Sequence, residues 1–191
     1  MKENFLIKKN ILSKEVFNTM NKSIFSNEFP WYFLSDSAFK EKFLKKEEIG
    51  INYAWSHLLF DFEKGGINSN FYHSFYYPII FILEKFNFKI ENLLRIRIGL
   101  TATIGKPVIN KPHIDWDFPH ESIIFYFNNS DGNTVFYNKD KKTIIKEITP
   151  IENMAVGFDG HIFHSSSKPV NTQRRIIMNI NLKKIKEKNE F

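Results

Sequence analysis

The chain predicts a mainly β protein with N-terminal α-helices, its core a double-stranded β-helix of the jelly-roll, cupin-like kind. Three observations carry that class. Apolar residues recur at helical spacing up to about residue 90, and from Leu93 the rhythm changes to short strands with turn punctuation. The 191 residues, 42% hydrophobic and 16% aromatic with 21 phenylalanines, suffice for one well-buried core.

The first helix is read from Ile11, Leu12, Val16, Phe17, Met20 and Ile24, with Ser13 as its N-cap. FPWYFLSDSAF, residues 29–39, is aromatic-rich without a clear period, and Trp31, Tyr32 and Phe33 are read as packing against the core. GGINSN, residues 65–70, signals a loop, and a second helix is expected from about Ser74 to Phe86. Eight strands follow, at 93–103, 111–116, 121–128, 133–138, 143–149, 153–158, 161–167 and 174–182. Asp131-Gly132 and Asp159-Gly160 are read as supplying the positive φ that tight hairpins need. Near-regular strand spacing of this kind suggests a double-sheet jelly roll, with the helices covering one sheet face. The expected organisation is one domain over 1–191. Residues 1–92 give helical and loop support, 93–183 the jelly-roll catalytic core, and 184–191 a charged tail.

The net charge of +6 raises nucleic acid as a partner, but the pattern of bases does not favour it. Only four of 27 basic residues are arginine, a bias that reads as coding drift in an AT-rich genome, and runs such as KKIKEK (183–188) mark solvated surface. Cysteine is absent, so disulfides, a thiolate nucleophile and Cys-based zinc are excluded, and any metal must sit on imidazole and carboxylate. MKENFLIKKNILSKE has no continuous hydrophobic region and FYYPIIFIL (75–83) is too short to span a bilayer. A soluble cytoplasmic protein is expected, in the host cytoplasm if viral, with no membrane partner.

Chemistry concentrates in KPHIDWDFPH, residues 111–120. His113 and Asp115, two apart on a strand, share one side. A second pair arrives at GHIFHSSS, where His161 and His164, three apart, face opposite ways, so only one can look inward. Two imidazoles with Asp115 make a 2-His-1-carboxylate facial triad with open positions, a set that suits Fe(II). A chain that uses lysine almost everywhere starts its last strand with Arg174-Arg175, and a guanidinium grips the far carboxylate of a dicarboxylic cosubstrate with two parallel bonds. Arg95 and Arg97 share a strand face, either a solvated edge or the barrel mouth. His120 and Asp117 are read as pocket-rim or solvated loop residues, and His57 and His73 as surface or packing residues of the helical part. Ser165, Ser166 and Ser167 have no evident base partner.

HID followed by FDGHIFHSSSKPVNTQRR resembles the Fe(II)/2-oxoglutarate-dependent dioxygenases, particularly prolyl-hydroxylase-like and phage-encoded members. IIFYFNNSDGNTVFYN and RRIIMNINL are similar to that group too, so the resemblance covers residues 93–182, with FPWYF a less specific extension. It implies Fe(II) on His113, Asp115 and His164, selecting His164 over His161. It implies 2-oxoglutarate on the metal through its 2-oxo acid end, with the distal carboxylate on an arginine of the last strand. Arg175 shares its face with Asn179 and Asn181, whereas Arg174 heads the apolar row Ile176, Met178, Ile180, so alternation favours Arg175 over Arg174. Where related enzymes place a tyrosine on the third barrel strand, the aligned position is Phe125, with Tyr126 beside it as a candidate cosubstrate contact and Thr101 and Thr103 as substitute hydroxyls. The implied reaction consumes O2 and 2-oxoglutarate, releases succinate and CO2, and hydroxylates an unactivated C–H of an unidentified substrate. Two other readings stay open: a non-catalytic jelly-roll binding or structural protein, and a cupin-like metalloenzyme that does not use 2-oxoglutarate.

Overall fold

Strand β1 (Leu6–Lys9) leads into α1 (Lys14–Ile24) in the computed structural model, which describes residues 5–36 and 51–184. Ser13 caps α1 as the sequence predicts: its hydroxyl accepts from the Val16 N–H at 3.3 Å, and Phe17, Met20 and Ile24 form the buried stripe. Next come β2 (Tyr32–Leu34), β3 (Ala54–Asp61), β4 (Gly66–Ile67), a single helical turn α2 (Phe71–Ser74) and α3 (Tyr76–Lys85), the second predicted helix. Helical and loop support is therefore an incomplete description of residues 1–92. The strand β3 belongs to the main sheet, because pairing with its neighbours overrides an apolar pattern, AWSHLLFD, that fits helix and strand alike. His57 lies on β3, buried, between the Pro30 carbonyl at 2.7 Å and the Ser69 hydroxyl at 2.7 Å.

The second half supplies β5 (Leu93–Ala102), β6 (His120–Tyr126), β7 (Thr134–Tyr137), β8 (Ile144–Ile148), β9 (Met154–Asp159), β10 (Phe163–Ser166) and β11 (Arg174–Lys183). An eight-stranded antiparallel sheet runs β1-β9-β6-β11-β5-β3-β2, with β4 beside β3, and a three-stranded sheet runs β10-β7-β8. From β5 onward the chain passes between the two sheets, giving the jelly roll. One expected strand is missing from the smaller sheet. Residues 111–116 form a loop that touches it through a single bridge, His113 to His164.

Alternation divides the main sheet into two faces. Ile123, Phe125 and Phe127 of β6 and its extension, with Ile176, Met178 and Ile180 of β11, pack with Phe17, Met20, Ile79 and Ile82 of the helices. Ile124 and Tyr126 turn the other way, toward Phe136 and Phe158. Burying each large apolar side chain contributes about 1.5–3 kcal/mol. A one-residue slip of β11 would push Arg175, Asn179 and Asn181 into the helix-covered core, so hydrophobic burial fixes the register that presents these polar groups to the inter-sheet space.

Other expectations need correction. Trp31 is packed against the core, but Tyr32 and Phe33 are 62% and 63% exposed on the edge strand β2. Residues 37–39 of the aromatic segment and 185–191 of the tail lie outside the described residues; Lys184, at the tail's start, pairs with Asp159 at 2.8 Å. Neither Gly132 nor Gly160 has positive φ. Each is required because its neighbours leave no room for a Cβ, which would lie 2.9 Å from the Ser167 carbonyl oxygen at Gly132 and inside the His120 imidazole at Gly160. No helix among the described residues is long and apolar enough to cross a membrane.

Asp131 ties the segment before β11 in place. Its carboxylate accepts from the N–H groups of Val170, Asn171 and Thr172 and from the Asn171 amide and Thr172 hydroxyl, at 2.6–3.1 Å. Those bonds, the Asn171 N–H first, hold the carboxyl well below its ordinary 3.8. Because the folded value is depressed, this stabilisation is complete above the ordinary value and is lost as the pH falls below it. Asp131→Ala is expected to destabilise the protein by about 2–3 kcal/mol at pH 7. In urea unfolding, the gap from wild type should narrow as the pH drops below 3.8.

Candidate metal centre

His113 and His164 are joined by their backbones. Each N–H donates to the other's carbonyl at 3.0 Å, which sets the two imidazoles side by side with ring centroids 4.7 Å apart. Asp115, two residues along the same loop, turns its carboxylate into the same space, Oδ2 lying 4.0 Å from His164 Nε2. One donor atom from each of the three lies within 4.8 Å of the others. The outer ring nitrogens face carbonyls: His164 Nδ1 is 3.1 Å from that of Ile162 and His113 Nδ1 3.4 Å from that of Lys111. With its proton on Nδ1, each ring keeps an Nε2 lone pair for a metal.

The main sheet holds the carboxylate from behind. Arg95 Nη2 donates to Oδ1 at 2.8 Å, while Asn181 and Asn179 amides donate to Oδ2 at 2.7 and 3.2 Å. Arg95 also stacks over Trp116, 4.4 Å from the ring centroid, and Asn181 reaches Ser122 at 3.0 Å. Burial would raise the Asp115 carboxyl, but His164, Arg95, His113 and Arg97 outweigh it and keep it well below the usual carboxylate range. Burial, then His164, lowers His113 to about 4, so at neutral pH it is the neutral imidazole a metal requires. Two imidazoles and an ionised carboxylate, in a chain without cysteine, fit a divalent iron with open positions.

A cavity of about 70 Å³ extends from His113 and His164 to Arg175, past Thr101 and Thr134. Arg175 is 4% exposed; its Nη2 donates to the Thr134 hydroxyl at 2.7 Å, and its Nε is buried with no hydrogen-bond partner. It has no carboxylate partner among the described residues, so a buried cation faces the cavity unneutralised, which fits an incoming carboxylate. Arg174 lies outside, exposed, its guanidinium 4.5 Å from the Phe25 ring centroid. A larger groove of about 1220 Å³, beyond Trp116 and Phe118, contains none of the three donors.

Several expected placements differ. Phe125 faces the helices, and it is Tyr126 that turns toward the inter-sheet side. Tyr126 does not line the cavity; its hydroxyl lies 2.7 Å from that of Thr134, which in turn holds Arg175. Thr101 lines the cavity opposite Arg175, whereas Thr103 sits past the end of β5, accepting from the Gly105 N–H at 3.0 Å. His120 is not a rim residue: it is fully buried, Nδ1 2.9 Å from the Phe118 carbonyl, packed on Gly160. Asp117 and His161 are exposed. Arg95 and Arg97 both belong to the interior face. Thr134, and the direct grip of Asn179 and Asn181 on Asp115, escaped sequence reasoning; the only available signal was that Asn179 and Asn181 share a face with Arg175.

No family model and no curated protein matches the chain. Solved structures do. An oxidoreductase of the 2OG-Fe(II) oxygenase family from Burkholderia pseudomallei superposes with a TM-score of 0.66 at 10% identity, over 93% of this chain and 84% of that one. A Pseudomonas putida prolyl-4-hydroxylase gives 0.60 at 10% identity, over 96% and 94%. The epimerase SnoN, in complex with Fe3+, alpha ketoglutarate and nogalamycin RO, gives 0.59 at 10% identity, over 95% and 80%. The chain has the fold of the 2OG-Fe(II) oxygenases.

Proposed function

We propose that the protein is an Fe(II)- and 2-oxoglutarate-dependent dioxygenase that hydroxylates an unactivated C–H of its substrate. One observation carries the reading: two imidazoles and a carboxylate converge within 4.8 Å at one end of a cavity, and a buried arginine without a carboxylate partner stands at the other. His113, Asp115 and His164 would hold Fe(II), and Arg175, supported by Thr134, would take the distal carboxylate of 2-oxoglutarate, with the Thr101 hydroxyl opposite. When bound there, iron and 2-oxoglutarate would supply the O2-dependent oxidation of a C–H bond, with release of succinate and CO2.

The chain's own residues orient and shield. Arg95, Asn179 and Asn181 fix both oxygens of Asp115, and the Nδ1 contacts fix both rings, so the donors are set before anything binds. Phe158, 5.1 Å from the His164 ring, and Phe136, at 6.4 Å, wall off the far side from water. Support for the cofactors also comes from the fold neighbour that carries Fe3+ and alpha ketoglutarate.

The test is an anaerobic titration with Fe(II) and then 2-oxoglutarate, followed by admission of air. Each ligand at about 100 times its Kd adds about 2.7 kcal/mol, which for a chain of this size raises Tm by roughly 5–11 °C. Both shifts and subsequent succinate formation are expected. No Fe(II) shift would favour the non-catalytic module; an Fe(II) shift without a 2-oxoglutarate shift would favour the cupin-like metalloenzyme.

A further inference from the structure

Three of the chain's four arginines meet on the interior face of the main sheet. Two have work there. Arg95 is bonded to Asp115 and stacked on Trp116, and Arg175 is bonded to Thr134. Arg97 shares their face, lines the cavity beside His113, and makes no hydrogen bond or ion pair with any residue, among those described, that would account for it. A chain that meets nearly every need for positive charge with lysine has put here the cation whose planar fork matches an oxyanion.

Charge balance leaves the same vacancy of function. Among the described residues, Arg97 and Arg175 line the cavity and no carboxylate does; Asp115, at the metal end, is already engaged by Arg95 and two asparagines. A divalent metal and a dianionic cosubstrate cancel one another, so loading the site removes none of the excess. Burial, then Arg95, disfavours the Arg97 charge; Asp115 offsets this only in part, and a further anion brought beside the guanidinium would supply the rest. Position separates Arg97 from the proposed cosubstrate anchor. In the β11/β5 register Arg175 lies opposite Thr101 and Arg97 opposite Asn179. Four residues of strand, roughly 13 Å, separate the two. Arg97 is therefore at the metal end, where a substrate carbon must approach.

Resting on the iron and 2-oxoglutarate reading, we propose that Arg97 anchors an oxyanion of the primary substrate, which is a small molecule bearing a carboxylate or phosphate close to the carbon that reacts. Redox-inert protein loaded with Zn(II) and saturating 2-oxoglutarate is titrated calorimetrically with acetate and with methyl phosphate. Saturable binding of at least one probe is expected, the tighter one naming the headgroup. Arg97→Met should weaken it by about tenfold or more, and Arg97→Lys, which keeps the charge, should lose less. Affinity for 2-oxoglutarate should change less than about twofold in either variant, since its distal carboxylate has its own arginine. In the ligand-free protein Arg97→Met should match or exceed the wild-type Tm, because it removes an unpaired cation from beside Arg95, and this separates lost binding from lost fold. Absence of probe binding to wild type, equal binding to Arg97→Met, or a tenfold loss of 2-oxoglutarate affinity in that variant would each overturn the assignment. Failure of 2-oxoglutarate to bind wild type would instead defeat the cosubstrate reading, leaving acetate binding to the Zn(II) form as a separate test of Arg97.

Discussion

Asp115→Ala is expected to lose Fe(II) binding and succinate release together, each by more than about 100-fold, since removing even an outer-shell partner of a metal ligand costs 10- to 100-fold. The same variant should also be the least stable of the ligand mutants. Its side chain is 5% exposed and is the shared acceptor for Arg95, Asn179 and Asn181. Taking it away leaves Arg95 and Arg97 side by side without an anion among the described residues, a kind of loss that costs about 3–5 kcal/mol when a buried pair is broken. His164→Ala removes a donor without stranding a charge. It should abolish iron binding and succinate release while keeping more of the metal-free stability, and urea unfolding of chelator-treated protein measures the difference. The pair of variants separates a metal centre from a structural ion-pair network: a network predicts that only Asp115→Ala matters, and wild-type turnover in His164→Ala would remove iron from the account.

The convergence tested by those variants was legible in the sequence as chemistry but only partly as structure. Alternation along RRIIMNINL identified the polar face of β11, because its other face is continuously apolar and must meet the helices. Along β6 the same logic failed. IIFYF is buried on both sides, so hydrophobicity carries no phase, and the contact of Phe125 with Phe17 excludes it from the cosubstrate position that alignment suggests. The HID segment fits a strand by pattern alone but is a loop. It needs only one bridge to His164 to aim its side chains, and a single long-range bridge leaves no local periodicity to read. Alternation puts Arg95 and Arg97 on one face, but whether that face is interior depends on pairing with β11 across the sequence. The aromatic pair Tyr32 and Phe33 shows the converse: composition suggests burial, whereas an edge strand exposes both. At the Asp-Gly turns steric room, and not backbone angle, selects glycine, a requirement that no local sequence pattern announces.

Arg175→Met should raise the 2-oxoglutarate requirement while leaving Fe(II) affinity unchanged. Loss of a desolvated, hydrogen-bonded charge pair costs about 2–4 kcal/mol, or roughly 30- to 700-fold in Kd. The guanidinium stands across the cavity from His113 and His164, hydrogen-bonded to Thr134 and set against Tyr126. Iron binding therefore has no reason to fall, and competition by succinate, which carries the same distal carboxylate, should weaken in parallel. Arg174→Met is the internal control, because that side chain lies exposed over Phe25 and its loss should alter neither ligand. Ligand-free stability sharpens the argument. A residue kept for the fold would lower Tm when replaced, but Arg175 is a buried cation with no carboxylate partner among the described residues, and an isosteric apolar chain next to Tyr126 and Ile177 should hold the metal-free Tm or raise it. A variant that gains stability while losing its cosubstrate is the signature of a charge retained for binding; a marked fall in Tm with unchanged 2-oxoglutarate affinity would assign Arg175 to the core instead.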